Sequence, residues 1–117
     1  MSQHLFETRT SSGLNVEVLI GFDRPLNGYF LVVANIASLD PNDAFVYSNL
    51  DDVELVDLGG ITLNLEHFKG KLALLGIELP ESIESEVRLD RAQRLGNRVC
   101  WYDAKGHVLP SNRGNNS

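Results

Sequence analysis

The sequence is poor in cysteine, has no long apolar run and lacks basic residues in its central part. Cys100 is the only cysteine among 117 residues, so no disulfide can form within the chain. No apolar run approaches the roughly 18 to 20 residues that span a bilayer, and the first residues carry no signal-peptide pattern. These absences predict a soluble protein in a reducing, cytoplasmic setting, with no membrane partner.

The charge of the chain is negative and segregated. The formal net charge is −6 and the sequence pI is near 4.9, which opposes nucleic-acid binding because phosphates attract clustered Lys and Arg. Between Arg24 and Lys69 there is no lysine or arginine, whereas six acidic residues fall between positions 40 and 57: Asp40, Asp43, Asp51, Asp52, Glu54 and Asp57. An arginine-rich stretch follows, with Arg88, Arg91, Arg94 and Arg98. Acidic and basic side chains therefore occupy different parts of the sequence.

Apolar alternation and turn signals predict an antiparallel meander of about four strands. The clearest strand covers residues 15–22, where Val16, Val18, Ile20 and Phe22 occupy alternate positions. Further strands are predicted at 5–10, 29–36 and 45–47. The strand at 29–36 is almost continuously apolar, so we expect it to be the most buried and covered on both faces.

The apolar period becomes helical after residue 61. One stripe on a predicted helix contains Ile61, Leu65, Phe68, Leu72 and Leu75. Thr62 is its predicted N-cap, and Gly76 with Ile77 predicts a Schellman ending. A second helix is predicted from Pro80 to about Leu95, with Gly96 just after its end. Residues 98–102 and 107–109 then predict a hairpin.

This order of elements predicts an α+β fold. The mainly antiparallel sheet, a meander of about four strands plus the C-terminal hairpin, carries two helices packed on one face. A chain of this length suits one core, so residues 1–109 are expected to form a single α+β domain. The polar residues 110–117 are expected to be a disordered tail.

Five short segments carry a resemblance to a known group of proteins. They are residues 7–13, 21–26, 46–50, 75–77 and 96–98. They resemble a family of small, functionally uncharacterised bacterial proteins known mainly from structural surveys. The resemblance covers most of residues 5–106 and implies a compact α+β fold with no known activity, so it supplies no catalytic residues.

No motif identifies catalytic or metal-binding chemistry. The three histidines are far apart in sequence, and residues 51–54 lack the register of a calcium loop. Cys100 stands between Val99 and Trp101, a setting that predicts a buried, unreactive thiol. Surface exposure is predicted for His67. The sequence thus predicts no cofactor, no metal and no catalytic residue, and a non-enzymatic role is favoured over an enzyme.

Two functions stay open. The first is an interaction or regulatory module that docks a protein partner through its segregated acidic and arginine-rich surfaces, with partner-binding residues Asp51, Asp52, Glu54 and Asp57. The alternative is a binder of a small anionic ligand, or an enzyme of unrecognised type, that uses Arg24, Arg91, Arg94 and Arg98.

Against the arginine alternative, the i,i+4 spacing of Glu84 with Arg88 and of Asp90 with Arg94 predicts internally paired side chains. The sequence leaves open whether Asp23, Arg24 and His67 share a pocket with the arginine-rich helix. It also leaves the oligomeric state open, with a monomer favoured by the net negative charge.

Overall fold

The computed structural model describes residues 1–37, 40 and 44–110. In chain order its elements are β1 (Ser2–Arg9), β2 (Asn15–Asp23), β3 (Gly28–Asn35), β4 (Phe45–Ser48), two 3₁₀ helices (Asn49–Asp51 and Val53–Leu58), α1 (Leu65–Leu74), α2 (Glu81–Ala92) and β5 (Arg98–Tyr102). The predicted α+β class is confirmed. Asp43 and the predicted tail beyond residue 110 lie outside the described residues.

The five strands form one sheet in the order β4-β3-β2-β1-β5. Strands β1 to β4 pair antiparallel, as the predicted meander requires. Strand β5 pairs parallel to β1, because the chain first crosses the sheet through the two helices. After β5 the chain turns back, and a bridge joins Tyr102 to Val108. The predicted C-terminal hairpin therefore exists in a short form.

The core lies between one sheet face and the two helices. The four alternate apolar residues of β2 are fully buried on this face, as their spacing predicts: Val16, Val18, Ile20 and Phe22. They pack with Phe68 and Leu72 of α1 and with residues of α2 in one apolar cluster. Both helices therefore lie on the same side of the sheet, as predicted.

The opposite face of the sheet, here called the open face, carries a row of apolar side chains. The strand register places Trp101, Leu5, Leu19 and Val32 side by side across β5, β1, β2 and β3. Phe30 of β3 lies on the same face next to Gly21, where a Cβ would stand 2.9 Å from the ring. Neither α1 nor α2 lies on this face, and Val32 there is only partly buried, but Phe30 is 7% exposed, so β3 is covered on this face only in part.

Helix α1 begins later than its apolar stripe predicts. Asn64 is the N-cap, and its side-chain oxygen accepts from the Glu66 amide at 3.2 Å. Thr62, the predicted cap, forms a bridge with Tyr29 of β3 instead. The link before α1 therefore joins the sheet, and the helix starts only after this contact.

The two helices end in the same kind of turn with different residues. At the end of α1, Gly76 has a φ of 76°, and the Ile77 amide donates to the Leu72 carbonyl at 2.9 Å. This confirms the predicted Schellman ending. Helix α2 stops at Ala92, and Arg94 takes the left-handed conformation with a φ of 51°, so the placement of Gly96 at this position is wrong. In the described part of the chain, neither helix has the length and apolar character needed to cross a membrane.

Candidate functional site

The acidic stretch folds into two successive 3₁₀ helices, here called the 3₁₀ segment (residues 49–58). A 3₁₀ helix has three residues per turn, so side chains three positions apart share a side. Every third residue points inward: Asn49, Asp52 and Leu55 are buried. These inward residues attach the segment to the fold.

Two rows of side chains face outward from the 3₁₀ segment. The apolar row contains Leu50, Val53 and Val56, whose residues are 77%, 83% and 71% exposed. The acidic row contains Asp51, Glu54 and Asp57, which are also exposed. Sequence reasoning found the acidic row and missed the apolar one. The signal was available, since apolar residues recur every three positions from 50 to 56 and acidic residues do so from 51 to 57.

Asp52 anchors the 3₁₀ segment from inside. Its carboxylate accepts from the Tyr47 hydroxyl at 2.5 Å, from His67 Nε2 at 2.9 Å and from the Glu54 amide at 2.9 Å. Burial opposes the charged form, but these hydrogen bonds outweigh it and lower the pKa of Asp52 to about 2. The structure therefore places Asp52 away from the outward acidic row, and His67 is half-buried beside it.

Asp52, Glu54 and His67 present ligand atoms within 4.8 Å of one another. The ammonium group of Lys71 already pairs with these carboxylates, because Lys71 Nζ lies 2.6 Å from Glu54 Oε1 and 3.9 Å from Asp52 Oδ2. The arrangement is that of an ion-pair cluster that holds α1 to the 3₁₀ segment.

Three of the four predicted anion-binding arginines come together around the turn between β2 and β3. Arg24 Nη1 lies 3.5 Å from the Arg94 carbonyl oxygen, and Arg94 Nη1 donates to Asn27 Oδ1 at 3.4 Å. Arg91 stacks over the Tyr29 ring at 5.9 Å. All three are exposed, and none forms an ion pair with a described carboxylate. We call Arg24, Arg91 and Arg94 the arginine patch.

The fourth arginine, Arg98, lies elsewhere because Asp90 faces the interior. Asp90 is fully buried, and its carboxylate accepts from Arg98 Nη1 at 2.9 Å. Arg98 also pairs with Glu86. The predicted pair of Asp90 with Arg94 is therefore wrong, whereas that of Glu84 with Arg88 is confirmed at 2.8 Å.

A buried polar network continues from Asp90 into the sheet. His4 Nε2 donates to Asp90 at 2.6 Å, and His4 Nδ1 accepts from the Tyr102 hydroxyl at 2.8 Å. Burial lowers the pKa of His4 although Asp90 opposes this change, which favours the neutral ring that this pattern requires. The order of groups resembles a proton relay, but His4 and Asp90 are 0% exposed. A substrate therefore has no access to their reacting atoms, and the network is structural.

Cys100 and His67 differ from their predicted settings. Cys100 is only partly buried, and Arg98 Nε lies 3.4 Å from its sulfur. His67 is bonded to Asp52, whereas Arg24 contacts the end of α2. The structure thus unites Arg24 with the arginine-rich helix and places His67 in the Asp52 cluster.

A small apolar groove opens on the open face beside the 3₁₀ segment. Its volume is about 260 Å³. Its apolar walls include Leu19, Leu26, Phe30, Val32, Leu50 and Ile61. Leu26 belongs to the turn that carries Arg24, and Leu50 belongs to the apolar row. The groove therefore connects the 3₁₀ segment with the turn at the arginine patch.

Comparison with known proteins finds no family model that matches the chain, and no curated protein or solved structure that matches it significantly. The resemblance to the small bacterial family therefore stays a prediction. The surface features that bear on function are the 3₁₀ segment, the arginine patch and the groove.

Proposed function

We propose that this protein is a non-enzymatic interaction module that docks a protein partner through its 3₁₀ segment. One observation carries the proposal: three large apolar side chains in that segment are each more than two-thirds exposed, directly beside an acidic row. Scattered exposed apolar residues are ordinary, but a contiguous apolar surface with a polar margin is typical of an interaction site.

The surface is held in place before any partner arrives. Asn49 Nδ2 donates to the Gly60 carbonyl at 2.6 Å, and Asp52 caps the second 3₁₀ helix through the Glu54 amide. Leu55 fixes the middle of the segment in the core. Because the backbone is already ordered, binding does not have to offset the entropy of folding a loop.

The two rows define the chemistry of the partner. An apolar ridge would cover Leu50, Val53 and Val56, and flanking lysine or arginine side chains would meet the acidic row. Apolar contact then supplies most of the affinity, while the charges steer and orient the encounter. A cytoplasmic location belongs to the same proposal, since Cys100 is a free thiol and a reducing compartment keeps thiols free.

The arginine patch supports a second candidate, the binding of an anionic ligand or an acidic partner. The observation that favours it is that Arg24, Arg91 and Arg94 converge without a described carboxylate partner.

One capture experiment separates the candidates. The purified protein is immobilised at low salt and exposed to an extract of its own cells, and bound proteins are identified by mass spectrometry after crosslinking. Three variants are compared with the wild type: an acidic-row variant (Asp51→Asn, Asp57→Asn), which leaves the Glu54–Lys71 ion pair intact, an apolar-row variant (Val53→Ser, Val56→Ser) and an arginine-patch variant (Arg24→Gln, Arg91→Gln, Arg94→Gln). We expect a partner crosslinked to the 3₁₀ segment that both row variants lose.

Leu74→Ser is the matched control, because Leu74 on α1 is 80% exposed and lies outside the 3₁₀ segment. It should capture the partner as the wild type does. If the arginine-patch variant loses the partner and the row variants keep it, the second candidate replaces the first. Equal capture by all variants contradicts both.

A further inference from the structure

We propose that the partner which fits the groove and its charged margins is a second copy of this chain, in a symmetric dimer. This inference rests on the proposed function and names its partner. A symmetric dimer requires that one chain carries every part of the contact surface. These parts are an apolar centre, an acidic side and a basic side.

The centre is the groove. At about 260 Å³ it lies below the usual range of roughly 300 to 1,000 Å³ for small-molecule pockets. A single apolar side chain suits it better, as interface anchors commonly fill such pockets. Leu26 and Leu50 stand at its margins with residue exposures of 59% and 77%. Leu50, the more exposed of the two, has the size that the groove of a second copy would take.

The two margins differ in net charge: Asp23 lines the groove on the Leu26 side, but Arg24 and Arg94 of the arginine patch outnumber it there. On the Leu26 side, Arg24 lies two residues earlier in the turn and contacts the Arg94 carbonyl. On the Leu50 side, the acidic row begins with Asp51. Neither Arg24 nor Asp51 has an ion-pair partner among the described residues.

A twofold axis between the groove and Leu50 would seat Leu50 of each copy in the groove of the other and bring the arginine side of each copy onto the acidic row of the other. Such an interface uses the same surface patch on both subunits, so the patch has to be self-complementary. Here the arginine patch would meet the acidic row twice, once on each side of the axis. Charges that have no ion-pair partner among the described residues of one chain thereby pair between chains, namely those of Arg24 and Arg94 with those of Asp51 and Asp57. The apolar centre loses its contact with water.

A charge-swap experiment tests the dimer by sedimentation velocity at low salt, from micromolar to submillimolar concentrations. One variant reverses the acidic margin (Asp51→Lys, Asp57→Lys) and another reverses the basic margin (Arg24→Glu, Arg94→Glu). The wild type should dimerise, and each variant alone should dimerise at least about tenfold more weakly because like charges then face each other. An equimolar mixture should recover the association, since both contacts are again attractive.

Two controls keep the result specific. Glu78→Lys with Glu81→Lys makes the same charge change at exposed positions away from the groove and should dimerise like the wild type. Leu50→Ser should weaken the dimer at least about tenfold, whereas Leu74→Ser, at a similarly exposed leucine, should not. Circular dichroism checks the fold of each variant.

A wild type that stays monomeric at every concentration overturns the inference, and so does a mixture that fails to recover association. If the chain is monomeric and the row variants still lose a partner from the extract, the interaction module stands and only the choice of partner falls. If the chain dimerises but both row variants dimerise normally, the proposed role of the 3₁₀ segment falls as well.

Discussion

At the scale of single residues, Asp52 and its neighbour Asp51 show that adjacent carboxylates have different tasks. Asp51 is exposed, whereas Asp52 is buried and accepts three hydrogen bonds. A carboxylate with charged-state hydrogen bonds favours ionisation. Asp52 therefore stabilises the fold, and Asp51 is free to meet a partner.

Asp52→Asn should lower the free energy of unfolding by about 1 to 3 kcal/mol at neutral pH, since it removes a buried hydrogen-bonded charge. The folded-state pKa of Asp52 is depressed from 3.8 to about 2. Its stabilising contribution is therefore complete above the unfolded-state value and is lost as the pH falls from about 4 towards about 2. Urea denaturation at several pH values should show the difference from the wild type shrinking across that window.

Asp51→Asn is the control for this prediction, because it changes the same group one residue earlier at an exposed position. It should leave the free energy of unfolding within about 0.5 kcal/mol of the wild type. Equal effects of the two substitutions, or a loss at Asp52 that does not change with pH, would contradict the role assigned to Asp52.

At the scale of elements, α1 has a buried side and a free side. Leu72 is 0% exposed in the core cluster, whereas Leu74 is 80% exposed two residues later. The helix period produces this contrast, since residues three or four apart share a side and residues two apart do not. The same helix also holds the 3₁₀ segment through His67 and Lys71.

Leu72→Ala should reduce the free energy of unfolding by about 2 to 5 kcal/mol, because it removes apolar contacts and leaves a cavity. Leu74→Ala removes the same atoms from an exposed position and should change stability by no more than about 0.5 kcal/mol. Chemical denaturation of both variants measures the difference. Matching midpoints would show that α1 does not pack on the sheet as described.

At the scale of the whole molecule, we expect association between copies to depend more on the distribution of charge than on the net charge. The net charge of −6 suggests a protein that repels its own copies. The structure instead places Arg24 and Arg94, together with Asp23, on the Leu26 side of the groove and the acidic row on the Leu50 side. In the proposed dimer, long-range repulsion between two negatively charged copies would act together with short-range attraction between their charged margins. Salt screens both interactions.

The dissociation constant of the proposed dimer should rise with salt in the wild type, because contacts between exposed charges weaken as the screening length falls from about 30 Å at 0.01 M to about 8 Å at 0.15 M. Arg24→Gln with Arg94→Gln should dimerise more weakly at low salt and show a flatter salt dependence. Sedimentation equilibrium over a salt series measures both slopes. A wild-type dimer that strengthens steadily with salt would mean that apolar contact alone holds it.

Much of the fold could be predicted because local patterns carry it. The alternation in β2 and the Schellman ending at Gly76 each depend on residues close in sequence, and both are confirmed. The α+β class with helices on one face followed from the order of such elements. The end of α2 was misplaced, since the sequence offered Gly96 and the fold uses Arg94 in the left-handed position.

Only the tertiary structure decided which charged side chains are exposed and available to a partner. Asp90 and Arg94 have the spacing of a surface ion pair, yet Asp90 turns inward because His4, 86 residues away in sequence, supplies a buried partner. That choice leaves Arg94 unpaired and brings Arg24 beside it. The sequence by itself determined the local periods and the segregation of charge. The separation of anchoring carboxylates from exposed ones came from long-range contacts, since burial and pairing depend on residues that only the fold brings together.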